Sequence, residues 1–234
     1  MNVRQFRYGT DNLGYMVYGS HQAIAIDGGA VKEMLAFLDD NRLALTTVTN
    51  THTHPDHTSG NTALLQATSA TLLEIPQLLQ TGRLDLEGAA IDVRHTPGHS
   101  TDSVVFHFDD VLIAGDTLFI GKPGRCFTGD PASFLKAIQW ILTLPDDTRI
   151  YPGHDYVHEY MADLAAIEPD NPEIDRCLAA YDPTHVVSFL ARERKLNPAL
   201  RFNDPAVIDL LKHRGLAHAT THERWASVLS LIHT

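Results

Sequence analysis

The chain reads as an α/β protein, sheets covered by helices, completed by a small helical subdomain at its C-terminal end. Two patterns carry that reading. Through the N-terminal two-thirds, short apolar runs rich in β-branched residues alternate with helical stretches and turn residues. From about Tyr156 onward the strand pattern stops, and helices separated by Pro, Asn and Gly take over. With 234 residues, 44% of them hydrophobic and 20% charged, the chain is long enough to bury a real core, and its composition excludes disorder, collagen-like repeats and coiled coil.

Strand length and β-branched content mark Asn12 to Val17, Gln22 to Ile26, Leu45 to Thr49, Thr71 to Glu74, Ile91 to His95, Ser103 to Phe108, Val111 to Ala114 and Arg149 to Tyr151. Between them, Val31 to Asn41 sets Val31, Met34, Leu35 and Leu38 at helical spacing. Pro131 to Leu142 repeats this with Phe134, Leu135, Ile138 and Ile141, its proline suited to a first helical turn. In the tail, helices are expected over Glu159 to Ile167, Pro172 to Ala180, Thr184 to Arg194, Pro205 to Arg214 and His222 to His233. No repeat or long linker interrupts the chain, so a first domain over residues 1–155 and a helical subdomain over 156–234 are expected to pack directly together.

Charge narrows the partners. Eighteen Lys and Arg against 29 Asp and Glu leave a formal charge of −11, which repels polyphosphate, so no nucleic acid is expected. Apolar runs fall well short of a membrane span and Met1 to Thr10 lacks a signal-peptide core, so no membrane partner and a cytoplasmic location are expected. Cys126 and Cys177 lack metal-type spacing, which argues against a disulfide framework and a thiolate zinc site. The oddity is 14 histidines.

Directly after the strand Leu45 to Thr49 comes Thr51-His52-Thr53-His54-Pro55-Asp56-His57. In an extended segment residues i and i+2 face one way, so His52 and His54 can converge on one ion while the turn at Pro55 swings Asp56 and His57 toward a second. Three further strand ends lead to a candidate ligand beside a glycine: Thr96-Pro97-Gly98-His99, Ala114-Gly115-Asp116 and Tyr151-Pro152-Gly153-His154. Imidazoles and carboxylates without thiolates suit Zn, Fe or Mn in a catalytic rather than a structural site.

These motifs resemble the metallo-β-lactamase superfamily and, within it, the glyoxalase II family of hydroxyacylglutathione hydrolases. Its H-x-H-x-D-H motif is matched by His52, His54, Asp56 and His57, and its later ligands by His99, Asp116 and His154. The resemblance implies an αββα metallo-β-lactamase sandwich with a small C-terminal helical subdomain. It also implies two divalent ions, zinc foremost with iron or manganese as alternatives. His52, His54 and His99 would hold the first ion, Asp56, His57 and His154 the second, and Asp116 would bridge both, with Asp56 and Asp116 as the catalytic carboxylates. Tail residues Asn197-Pro198-Ala199-Leu200-Arg201 resemble the family's C-terminal domain.

The activity so implied is hydrolysis of a small-molecule thioester, S-(2-hydroxyacyl)glutathione such as S-D-lactoylglutathione, to glutathione and a 2-hydroxy acid by a hydroxide bridging the ions. Two cations lower the pKa of water to about 7, and a thiol of pKa about 8.5 leaves as thiolate without a strong general acid. For substrate, the resemblance points to Arg125, Tyr156 and Arg201, with Lys122 a further local cation, and puts Phe127 where the family has a tyrosine. Asp102 replaces a glycine usual after the third metal histidine, and an αL turn closed by its own side chain is expected there. Alternatives are a mononuclear iron enzyme like persulfide dioxygenase, or a hydrolase of other thioesters or lactones. His21, His95, His107, His158, His185, His213, His218, His222 and His233 are assigned to structure, Asp27-Gly28-Gly29 to a strand-ending turn and Cys126 to packing.

Overall fold

The computed structural model describes residues 1–233 as two sheets packed face to face with helices on both outer faces. The first sheet runs in the order β1 (Asn2–Tyr8), β2 (Asn12–Tyr18), β3 (Gln22–Ile26), β4 (Ala44–Thr49) and β5 (Thr71–Leu72). The second contains β6 (Arg83–Leu86), β7 (Ala89–His95), β8 (Val104–Phe108), β9 (Val111–Gly115), β10 (Arg149–Pro152) and β11 (Ser188–Phe189), lying side by side in chain order. Pairing is parallel for β3 with β4, β4 with β5 and β9 with β10, and antiparallel elsewhere.

Period-two alternation divides the central strands between two cores. Leu13, Tyr15, Val17, Ile24 and Ile26 meet Ile91, Val104, Phe106, Phe108, Val111, Ile113 and Tyr151 between the sheets. Their alternates Met16, Ala23, Ala25 and Val48 pack outward against Met34 and Leu38 of α1 (Val31–Asn41) and Leu64 of α3 (Asn61–Ala67). On the opposite face Val105, Leu112, Ala114 and Ile150 meet Phe134, Leu135 and Ile138 of α5 (Pro131–Ile141), capped by Asp130 on Ser133 N. The αββα sandwich implied by the resemblance is the observed architecture.

Several elements differ from the expected set. The edge strands β1 and β6 were hidden by Arg4, Arg7, Arg83 and Asp85, exposed charges that break the apolar pattern. Short helices α2 (Pro55–Thr58) and α4 (Ile75–Thr81), like α3, are too brief to show a clear 3.6-residue period. In the tail, α6 (Val157–Ile167) begins two residues before the expected Glu159, and α7 (Pro172–Ala179) follows as expected. The expected helix Thr184 to Arg194 is corrected: Ser188 and Phe189 form β11 on the edge of β10, and only then does α8 (Leu190–Leu196) start. Helices α9 (Pro205–His213) and α10 (Thr221–Ile232) complete the chain.

Tail side chains enter the cores of the sandwich. Val157, Met161, Leu164, Ile174, Cys177 and Leu196 belong to the cluster between the sheets, whereas Val207, Leu211, Trp225 and Val228 belong to the cluster under α5. Trp225 also donates its indole N–H to Pro131 O at 2.8 Å. No helix among the described residues is long and apolar enough to cross a membrane.

Candidate metal centre

One end of the sandwich gathers the ligands because the strands stop there together. His52 and His54 follow β4, Asp56 and His57 ride on α2, His99 follows β7, Asp116 follows β9, and His154 follows β10. Pro55 at the first turn of α2 turns the chain between His54 and Asp56. At the end of β10 a glycine is required by space: a Cβ on Gly153 would stand 2.1 Å from Asp116 Oδ1.

All seven predicted ligands converge, in two groups sharing Asp116. In the first, His54 Nδ1 lies 2.9 Å from His52 Nε2 and 3.1 Å from His99 Nε2, and Asp116 Oδ2 is 3.2 Å from His99 Nε2. In the second, His57 Nε2 lies 3.2 Å from His154 Nε2 and 3.4 Å from Asp116 Oδ1, with Asp56 Oδ2 3.5 and 3.3 Å from the two rings. Among the described residues, every His, Cys, Asp and Glu grouping tight enough for an ion falls here.

Whether these residues fit a metal is decided by their remaining atoms. His57 Nδ1 is 2.9 Å from Asp27 Oδ2 and His154 Nδ1 is 2.8 Å from Asp11 Oδ1, so each ring donates its Nδ1–H to a carboxylate and turns its Nε2 toward the cluster. Two ring nitrogens facing at 3.2 Å, with Asp56 Oδ2 and Asp116 Oδ1 beside them, call for a cation between them, a proton or a metal ion. Asp116 Oδ1, buried without a hydrogen-bond partner, faces the same point. The donor set fits divalent metal binding.

Electrostatics agree. Burial alone would lower the His57 pKa, but Asp27 and Asp116 outweigh it and drive it up to about 11, so the pocket favours positive charge at His57 Nε2, and a bound cation would take the place of that proton. Burial, reinforced by charge on His57, takes His52 down to about 4, which leaves a free lone pair at neutral pH. Asp116 sits well below the ordinary carboxylate range: burial opposes ionisation, but His57, His154 and His52 overcome it.

A metallo-beta-lactamase superfamily model matches residues 14–87 and 74–154. A hydroxyacylglutathione hydrolase of Methylobacillus flagellatus is 33% identical over 215 residues, covering 85% of this chain and 86% of its own. Another, from Hyphomonas neptunium, is 31% identical over 244 residues and 95% of each. The chain belongs to the metallo-β-lactamase superfamily, in its hydroxyacylglutathione hydrolase family. The solved structure of ETHE1 from Myxococcus xanthus, 22% identical with a TM-score of 0.69, covers 100% of this chain and 92% of its own and shows the shared fold.

Other residues around this hydrolase-family centre divide sharply. Phe127, 63% exposed, holds its ring 5.2 Å from His99 and 6.4 Å from His54 at the mouth of the first group. Tyr156 stacks on His154 at 5.0 Å, and burial pushes its phenol pKa up, so it stays protonated. Arg125 is exposed on the same loop and donates to His233 O at 3.3 Å. Lys122 and Arg201 are not brought to the cluster. Lys122 is buried, donating to Asp163 and to Ile232 O and lying over the Tyr160 ring at 4.5 Å. Arg201 pairs with Glu168 at the C-terminal end of α6, about 18 Å along the helix from Tyr156 at 1.5 Å per residue.

Sequence reasoning missed four supporting residues. Asp27 does end a strand, at φ +54, but its buried carboxylate also accepts from Thr51 N, Thr51 Oγ1 and His57 Nδ1. Thr51 in turn holds His52 Nδ1 at 3.1 Å. Asp11 and Asn12 contact the second group, and a carboxylate followed by a carboxamide at the start of a strand was their only signal. Asp102 forms the expected internal bond, to Ser100 Oγ at 2.6 Å, and a second to Thr53 Oγ1, without the αL backbone expected.

Proposed function

We propose that the protein is a dinuclear metal hydrolase that cleaves S-(2-hydroxyacyl)glutathione thioesters to glutathione and a 2-hydroxy acid, S-D-lactoylglutathione among them, in the cytoplasm. The observation that carries this is the convergence of His52, His54, Asp56, His57, His99, Asp116 and His154 in a chain whose relatives, matched over 85–95% of its length, are named hydroxyacylglutathione hydrolases. When bound, two divalent ions, zinc foremost, supply Lewis acidity that brings a water pKa toward about 7 and polarises the thioester carbonyl.

The chain's own residues do the rest. His52, His54 and His99 would hold one ion and Asp56, His57 and His154 the other. The Asp116 carboxylate, with one oxygen toward each group, offsets the repulsion between them. Asp27 and Asp11 fix the rings of His57 and His154 so that no reorientation is needed during reaction. Phe127 and Tyr156 form the walls against which the thioester lies, and Arg125 offers an exposed cation to a glutathione carboxylate. The tail, through α6 and α10, braces the loop carrying Arg125. Water loses a proton to solvent as its oxygen adds to the acyl carbon, the C–S bond breaks, and the thiolate takes up a proton from solvent, so no side chain has to act as a strong acid.

Turnover of S-D-lactoylglutathione beside other acyl thioesters, with metal content measured on the same preparation, tests the reading. Two metal equivalents and preference for the glutathione thioester are expected. Faster turnover of other thioesters would reject the glutathione carrier, and one iron with oxygen uptake on glutathione persulfide would replace hydrolysis by dioxygenation. His54→Ala is expected to lower kcat/KM by more than about 100-fold, beyond the range for partners one shell further out.

A further inference from the structure

The two ion positions are braced differently, and the difference lies where the turn after β1 enters β2. Asp11 Oδ1 accepts from His154 Nδ1 at 2.8 Å, and Asn12 Nδ2 donates to Asp56 Oδ2 at 2.8 Å. The turn is itself stitched to the segment that bears His154: Leu13 N donates to Gly153 O at 2.8 Å and Asp155 N to Asp11 O at 2.9 Å. None of the hydrogen bonds or ion pairs of His52, His54 and His99 among the described residues involves this turn. His52 leans on the Thr51 hydroxyl, and the His99 ring meets the backbone of Arg125, on the loop after β9 rather than on this turn. Asp27 serves both positions, holding His57 directly and His52 through Thr51.

We propose that Asp11 and Asn12 are positioning residues that set the affinity of the second metal position, formed by Asp56, His57 and His154, without affecting the first. The inference rests on the two-ion reading above. Its physical basis is twofold. A carboxylate that accepts the Nδ1–H hydrogen bond fixes the His154 tautomer and makes Nε2 a more basic donor. The Asn12 amide holds a carboxylate whose side chain is 45% exposed and would otherwise sample water-facing rotamers.

The test is zinc titration of the metal-free protein against a chromophoric chelator, which reads stoichiometry and both dissociation constants without recourse to activity. Wild type is expected to bind two ions. Asp11→Asn should weaken the second by about 10- to 100-fold and leave the first at its wild-type value, the range usual for such outer partners. Asn12→Ala, which leaves Asp11 in place, should act in the same direction. Equal weakening of both ions in both variants would mark a general structural role and overturn the proposal, as would wild-type affinity at the second position. A wild-type protein that binds one ion would instead reject the two-ion reading itself.

Discussion

Gly153 shows how tightly a single position constrains this centre. It precedes His154 and lies so close to the bridging carboxylate that the smallest side chain would stand 2.1 Å from Asp116 Oδ1 and 3.0 Å from His57 Cε1. Gly153→Ala is expected to keep its sheets, because the change lies past the end of β10, but to displace Asp116 or His154 by the better part of an ångström. Misplacement of that order costs about 100-fold in rate. Steady-state kinetics, metal analysis and circular dichroism on one preparation check it, and wild-type turnover would show that the cluster has slack the geometry denies. The ligands themselves were legible in the sequence, since four of them sit within six positions and the others follow turn glycines at strand ends. Their supports were not. Asp27 and Asp11 act on histidines 30 and 143 positions away, and only the assembled sheets bring them together.

Elements whose pattern is written in apolar periodicity were found near their expected bounds: α1, α5, β2, β3 and the strands β7 to β10. Those that escaped have edges, charges or lengths that blunt the pattern, and β11 is the instructive case. Its two residues pair with β10 because α8 follows at once and anchors it, Glu193 taking Ser188 Oγ at 2.6 Å and Gly121 N at 2.8 Å. A fully buried acid thus ties α8 to β11 and to the loop after Asp116. Burial pushes the Glu193 pKa up to about 7, against the opposing bonds from Ser188 and Gly121. The unfolded chain therefore gives up this proton first as pH rises, so stability is lost between about pH 4.5 and 7, by about 3 kcal/mol at the upper end. Glu193→Gln cannot ionise and is expected to lack that decline. Urea midpoints at intervals from pH 4.5 to 8 should converge toward the acid end and separate progressively from about pH 5 to pH 7, and parallel curves would show that Glu193 does not titrate there.

A chain of net charge −11 has to recognise an anionic thioester against its own field, so local cations decide the matter. The structure assigns them unequal work. Lys122 is consumed in bracing the loop against α6 and the end of α10, where the helix carbonyls favour a cation, and Arg201 is held by Glu168 at the far end of α6. Arg125 alone of the three is exposed, four positions after Gly121, where Glu193 anchors the same loop. Arg125→Ala is therefore expected to raise KM for glutathione thioesters by about 10-fold with a smaller loss in kcat, the signature of a contact made in ground and transition state alike. Added salt should raise the wild-type KM relative to that of the variant, because both share the net repulsion but only the wild type has the attractive contact to screen. Arg201→Ala should lower the thermal midpoint through the stranded Glu168 carboxylate and leave KM where it was. Should Arg201→Ala raise KM as much as Arg125→Ala, substrate would have to reach the far end of α6, and the tail would be a recognition surface rather than a brace.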